Sequence, residues 1–219
     1  MARLTTKPQR PALRSASFNG LGLTVSIHTD LLWALIGLIL TIGGTFLEVF
    51  ITSAPWSWLG QGVEARSLGV SFQVGAVLLI ACIGGRNAAV MSQIAYLVLG
   101  LTWFNVFTQG GGLEYIYRPS FGYLLGFIPG AWICGSIAFR TLPRLESLAF
   151  SCLCGLAAVH LSGIGYLLLA TQSFRWIDTT VLPLSNLLVT YSLNPLPGQL
   201  VVVCAVTLIA FVLRRLLFY

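Results

Sequence analysis

The chain has 219 residues, 57% hydrophobic and only 8% charged, with a mean hydropathy of +0.88. Soluble domains carry about 25% charged residues, so this chain cannot cover a surface with solvated groups and belongs in a bilayer. The formal charge of +6 does not point to nucleic acid, because the basic residues form no patch and are spaced as membrane-orienting charges.

Residues 1–25 read as a basic cytoplasmic tail containing Arg3, Lys7, Arg10 and Arg14. No small-x-small cleavage site follows the first apolar run, which argues against a secretory signal. Residues 26–219 read as one membrane domain. A crossing helix needs roughly 20 mainly apolar residues. The first span is expected at 31–51, with Asp30 as its N-cap and Glu48 near water at its far end. Pro55, Trp56 and Trp58 follow, as in an interfacial belt. Spans are next expected at 68–85, ending in Gly84-Gly85-Arg86, and at 88–107, with Ser92, Tyr96 and Gly100 on one face. A fourth is expected at 121–139 and a fifth at 147–171. A mixed stretch with Arg175 and Asp178 reads as interfacial, with a short helix near 179–191 ended by Pro195 and Pro197. The sixth span is expected at 198–217.

The fold class is therefore an all-α bundle of six transmembrane helices, with both termini on one side. Of the 12 basic residues, Arg3, Lys7, Arg10, Arg14, Arg86, Arg140, Arg144, Arg214 and Arg215 fall on that side. Arg66, Arg118 and Arg175 fall opposite. The positive-inside rule puts both termini in the cytoplasm, which implies a multi-pass protein of the plasma (inner) membrane. No internal repeat is evident.

The sequence offers little for catalysis. It has no H-E-x-x-H, G-x-S-x-G or P-loop pattern, and none of its 6 acids lies at the centre of a span. An enzyme is not expected, and ATP-driven work must fall to a partner. The 5 cysteines sit in apolar runs without zinc-knuckle spacing and read as small buried hydrophobes. No cofactor is called for, although His160 has two readings. It is either a ligand for haem or chlorophyll, or a neutral side chain bonded to a neighbouring helix.

The stretch from Gln109 to Ala131 draws attention because a glycine-rich loop, Gly110-Gly111-Gly112, leads through a buried-looking charge, Arg118, into an apolar helix. A charge at the mouth of a span is a functional candidate. Arg118 either snorkels to water or pairs with an anionic substrate, with the glycines as a flexible lid and Ser120 as a donor. Gln73, Tyr96, Asn105 and Gln199 are uncharged polar groups at or near span positions. Each must bond another helix or a ligand, since an unpaired buried amide costs about 1–3 kcal/mol.

Together, FQVGAVLLIACIGGRNAAVMSQIAYLVLG (72–100), NVFTQGGG (105–112) and RPSFGYLLGFIPGA (118–131) resemble the BioY family. These are the biotin-binding S components of energy-coupling-factor (ECF) transporters. Gln73, the Gly84–Arg86 turn, Tyr96 to Gly100, Val106-Phe107 and the Gly122–Phe127 core carry the likeness, and NPLPGQLVVV (194–203) looks like the segment that opens the family's last helix. The resemblance implies a six-helix S component that holds biotin near the outer face. Its partners are an EcfT-like transmembrane protein and ATPase subunits. The candidate substrate-binding residues are then Gln73, Tyr96, Asn105, Arg118, Ser120, Tyr123, His160 and Gln199. Two departures stand out: Gln199 replaces a family Asp and Val202 a family Lys. Arg118 is then expected to take over the lost lysine's role toward biotin or another small anion. On the first span, where the family presents a small-xxx-small face to its partner, Ala34 is followed by Leu38 and Gly37 by Thr41.

Overall fold

The computed structural model describes residues 21–53, 56, 58, 62–102, 104–140, 142–173 and 183–218. Most of the basic tail, Pro55, and the stretch carrying Arg175 and Asp178 lie outside the described residues. In chain order the elements are α1 (Leu21–Phe46), β1 (Glu48–Thr52), β2 (Ala65–Ser71), α2 (Gln73–Thr102), α3 (Phe121–Ala138), α4 (Leu145–Leu168), α5 (Leu184–Leu188) and α6 (Leu196–Phe218). A 3₁₀ turn at Leu113–Tyr117 precedes α3, and wider helical turns follow α4 and α5. Among the described residues, 5 helical stretches are long and apolar enough to cross a membrane: Ile27–Phe46, Gln73–Thr102, Phe121–Ala138, Leu145–Ser173 and Leu184–Leu217.

The second of these stretches does not run straight. Gly85 has φ 84° and ψ 172°, a conformation open to glycine but costly for any residue with a Cβ. The amide of Gln73 reaches the phenol of Tyr96 at 2.9 Å. In a straight helix those residues are about 35 Å apart at 1.5 Å per residue. The chain therefore folds back at Gly85 into antiparallel limbs, 73–84 and 86–102. The turn falls at the Gly-Gly-Arg sequence expected to separate two helices.

Other boundaries move. Helix α1 begins at Leu21, so Asp30 lies inside it and caps nothing. The helix ends at Phe46, and residues expected to finish the first span and begin the second form an antiparallel hairpin. Its register pairs Phe50 with Ser67 and Thr52 with Ala65, with a bulge between Glu48 and Phe50. Val49, Phe50, Ile51 and Thr52 are β-branched or aromatic residues suited to a pleated strand, and a short apolar run does not by itself distinguish strand from helix. Ser67 Oγ donates to Glu48 Oε1 across the pair. Pro197 sits in the first turn of α6, where the N–H it lacks has no helical partner to lose. It opens the last helix and does not close the segment before it. Trp56 and Trp58 are exposed, as a belt requires.

Small residues fix the helix spacing. Gly122, Gly126 and Gly130 share one face of α3 and meet α4 without room for a side chain. A Cβ on Gly126 would lie 2.8 Å from the Val159 carbonyl oxygen, and one on Gly130 would lie 2.7 Å from Val159 Cγ2. Such faces let membrane helices approach closely. Helix α1 docks similarly on α2. Ala34 and Thr41 are buried, and a Cβ on Gly37 would meet Ile80 and Ser92. The small residues of the first helix thus face this chain's own bundle, while Leu31, Leu32, Leu35 and Ile39 point outward. At the end of the bundle holding Gly85, Arg214 is buried. Its Nη1 donates to the Ala138 carbonyl at 2.8 Å, and its guanidinium stacks 4.3 Å from the Phe139 ring. Gly126→Ala is expected to lower the melting temperature of the detergent-solubilised protein, overpacking costing about 1–3 kcal/mol. Gly165→Ala, where a Cβ meets nothing within 4 Å, is expected to cause no loss.

Candidate ligand-binding site

A cavity of about 250 Å³ opens at the end of the bundle away from Gly85. Its walls come from the tip of β2 (Gly69, Val70, Ser71), the start of α2 (Gln73, Val74), the loop after α2 (Thr108, Gln109), Tyr115, the start of α3, Val159 of α4, Tyr191, and the entry to α6 (Pro195, Gln199). The floor is apolar, made by Val74, Leu124, Phe127 and Val159, and polar groups converge above it. That combination is the usual make-up of a small-molecule site.

Each polar wall is held by a partner behind it. Gln73 Nε2 donates to Tyr96 Oη at 2.9 Å, and Tyr96 Oη donates to the Val106 carbonyl at 3.0 Å. Gln73 is left with its Oε1 to accept from a ligand. On the facing wall His160 Nε2 lies 2.7 Å from Gln199 Oε1. With that oxygen accepting, Gln199 has its NH2 group to donate. The cavity thus offers an acceptor from one side and a donor from the other. Tyr123 stands between them, its ring edge-on to His160 at 5.8 Å, stacked on Tyr191 at 6.1 Å, and its hydroxyl 2.6 Å from Ser192 Oγ.

The loop over the site is packed down. Tyr96, Phe107 and Tyr115 form a chain of ring contacts, the first pair edge-on at 5.3 Å between centroids and the second tilted at 4.7 Å. Gly100 makes room for the Phe107 ring, which a Cβ would meet at 2.1 Å. Of the three glycines expected to form a flexible lid, Gly111 packs against backbone, while a Cβ on Gly110 or Gly112 would meet nothing within 4 Å. Gly110 and Gly112 have positive φ, the Gly112 amide donates to the Gly100 carbonyl at 2.8 Å, and a Cβ on Gly111 would meet that same carbonyl at 2.7 Å. Tyr166 Oη donates to the Ile116 carbonyl, pinning the 3₁₀ turn to α4. Ser120 Oγ donates to Tyr115 Oη at 3.1 Å. Burial pushes the Tyr115 phenol above its ordinary value, against the opposing effect of the Ser120 bond, so it stays neutral at physiological pH.

Of the eight residues singled out from sequence, Gln73, Ser120, Tyr123 and Gln199 line the cavity. Tyr96 and His160 stand directly behind Gln73 and Gln199. Asn105 is exposed and lies outside it. Arg118, which looked buried in sequence, is exposed, and it borders a second, outer cavity whose walls include Gln109 and Tyr115 of the first. His160 Nε2 is occupied by Gln199, so an axial metal bond from that nitrogen has to displace the amide. Val202 is buried against α2, its Cγ1 only 2.6 Å from where a Gly75 Cβ would stand. Sequence reasoning missed Tyr115, Tyr191 and Gln109, aromatic or polar residues flanking the motifs in loops. It also missed Gly69 to Ser71, which had been assigned to a span.

The sequence model of the BioY family matches residues 21–218. An uncharacterised 21.2 kDa protein of Cyanophora paradoxa is 32% identical over 151 residues, 68% of this chain and 76% of that protein. A protein named as a probable biotin transporter BioY, from Lysinibacillus sphaericus, is 32% identical over 133 residues, 60% of each chain. The biotin transporter BioY of Thermotoga maritima is 33% identical over 125 residues, 55% of this chain and 69% of its own. In fold, the chain is similar to the crystal structure of the S component for biotin from an ECF-type ABC transporter. The TM-score is 0.61 at 19% identity, covering 91% of this chain and 95% of that one.

Tyr96→Phe removes the oxygen that Gln73 donates to, at a cost of about 1–3 kcal/mol for an unpaired buried amide. The melting temperature is expected to fall. Gln73→Leu combined with Tyr96→Phe is expected to lose less than the sum of the two single losses. Additive losses would show that the bond does not hold the two limbs together.

Proposed function

The chain belongs to the BioY family, and we propose that it is the biotin-capturing S component of an ECF-type importer. It is a multi-pass membrane protein. The reading adds six crossings, with the two limbs of α2 counted separately, both termini in the cytoplasm, and residence in the plasma (inner) membrane. The reversal at Gly85 and the gathering of Arg86 and Arg214 at the end away from the cavity support that topology. The cavity then faces outward, as capture for import requires. An EcfT-like membrane protein and ATPase subunits supply the energy, since the sequence carries no nucleotide-binding loop of its own.

The observation that carries the biotin reading is the pairing of one acceptor and one donor above an apolar floor. A ureido group has a carbonyl that accepts and N–H groups that donate. Gln199 NH2 faces the carbonyl and Gln73 Oε1 faces an N–H, while Val74, Leu124, Phe127 and Val159 take the sulfur-containing ring. Gln199 keeps its hold on the head group because His160 occupies only its oxygen. The carboxylate at the other end of the ligand needs a cation. With Val202 in the lysine's place, Arg118 is a candidate, because its cavity shares Gln109 and Tyr115 with the inner one.

Titration of the purified protein with biotin and with its uncharged carboxamide separates the two ends. Wild type is expected to bind biotin. Gln199→Leu is expected to weaken both ligands together, by about tenfold or less for one neutral hydrogen bond. Arg118→Ala is expected to weaken biotin about tenfold, the low end for a charge-assisted bond because Arg118 is exposed, and to leave the carboxamide unchanged. Unchanged biotin affinity in both Arg118→Ala and Arg118→Lys removes Arg118 from the site. Failure to bind biotin, with thermal stabilisation by another small anionic vitamin, replaces biotin as the ligand.

A further inference from the structure

The cavity accounts for the outer half of the bundle. Deeper in, three cysteines far apart in sequence meet. Cys82 comes from the first limb of α2, Cys134 from α3 and Cys152 from α4, and all three are fully buried. Cys82 Sγ lies 3.7 Å from Cys134 Sγ and 3.5 Å from Cys152 Sγ, and the three sulfurs all lie within 4.8 Å of one another. A metal–sulfur bond of about 2.3 Å places three sulfurs around one ion at very nearly this spacing. No bond along the chain forces the meeting, because each thiol rides on a different helix.

The position follows from the helices that build the cavity. Val74, Phe127 and Val159 line the floor; Cys82 and Cys134 lie eight and seven residues after the first two, and Cys152 seven residues before the third on its antiparallel helix. That is two turns, about 11 Å toward the other end. The three helix faces that converge under the ligand converge again at the sulfurs. Gly155 keeps the packing close there, since a Cβ on it would meet Cys134 Cβ at 2.8 Å. A cation stands nearby. Arg214 Nη1 bonds the Ala138 carbonyl, one turn beyond Cys134 on α3, so the negative charge of coordinating thiolates has a buried guanidinium to face.

We propose that these three cysteines form a binding site for a thiophilic monovalent metal ion, with reduced copper the best fit. Soft thiolate ligands select Cu(I), zinc and iron–sulfur clusters. Structural zinc sites are four-coordinate, and the cluster of ligating side chains found at this place among the described residues supplies three. A d¹⁰ monovalent ion accepts three sulfurs in a plane without a fourth ligand. Each thiol that binds it releases its proton to solvent, and the ion keeps its oxidation state. The ion ties three helices at one point beneath the cavity floor. The proposal stands apart from what the cavity binds.

The test uses full-length protein in detergent under reducing conditions, loaded with Cu(I) and challenged with a chromophoric Cu(I) chelator. One copper per chain is expected to remain with the protein. X-ray absorption on wild type is expected to show three sulfur neighbours at a single distance. Cys134→Ser and Cys152→Ala are expected to lose the retained copper, while Cys154→Ser and Cys204→Ser keep it. No retained copper, or a first shell of nitrogen and oxygen, overturns the proposal on wild type alone, whatever the folding of the variants. Loss of copper in Cys204→Ser together with retention in Cys134→Ser overturns it equally.

Discussion

One hydrogen bond, from Gln73 Nε2 to Tyr96 Oη, joins the two ends of a hairpin of helices and places the first polar group of the cavity. It spans 23 residues of sequence and requires the backbone to reverse, which Gly85 permits through its positive φ. Tyr96 is fully buried, so its hydroxyl must be satisfied inside the protein. It donates to the Val106 carbonyl and packs on Phe107, which packs on Tyr115. The arrangement of the loop over the cavity therefore follows from the same residue that fixes the hairpin. Gln73 is pinned by this network and left with a single acceptor to present.

The facing wall is built on the same logic. Gln199 gives its oxygen to His160, which is buried between Tyr123 and α6. A side-chain amide held at one end is a directional group, because its remaining atoms cannot turn away. Two glutamines, each anchored from behind, then turn complementary groups, one acceptor and one donor, to the same cavity. Pre-organisation of this kind lowers the cost of ordering on binding.

The sequence shows some of this plainly and hides the rest for physical reasons. Helix α3 falls where its apolar run and the Gly122–Phe127 core place it, and the turn at Gly84–Arg86 is marked by glycine. The β-hairpin at 48–52 and 65–71 was hidden because Val49 to Ile51 continue the apolar run of α1, and Leu68 to Val70 lead into that of α2. Pairing between strands is a property of two segments and cannot be read from one. Arg118 misled through its neighbours: flanked by apolar aromatics it looks buried, yet it lies on the exposed end of a 3₁₀ turn. In the glycine run, the absent side chain at Gly111 lets backbone lie on backbone, and Gly110 and Gly112 take positive φ. Cys82, Cys134 and Cys152 show no spacing pattern because each belongs to a different helix.

The two limbs of α2 are unequal, and the difference shapes the cavity. At 1.5 Å per residue, 73–84 measures about 18 Å and 86–102 about 25 Å, whereas the hydrocarbon of a bilayer is about 30 Å thick. The second limb runs on past Tyr96, the partner of Gln73, for about 9 Å. Gln73 therefore stands in a recess beside a taller neighbour, and the hollow at this end of the bundle is a product of unequal helix lengths.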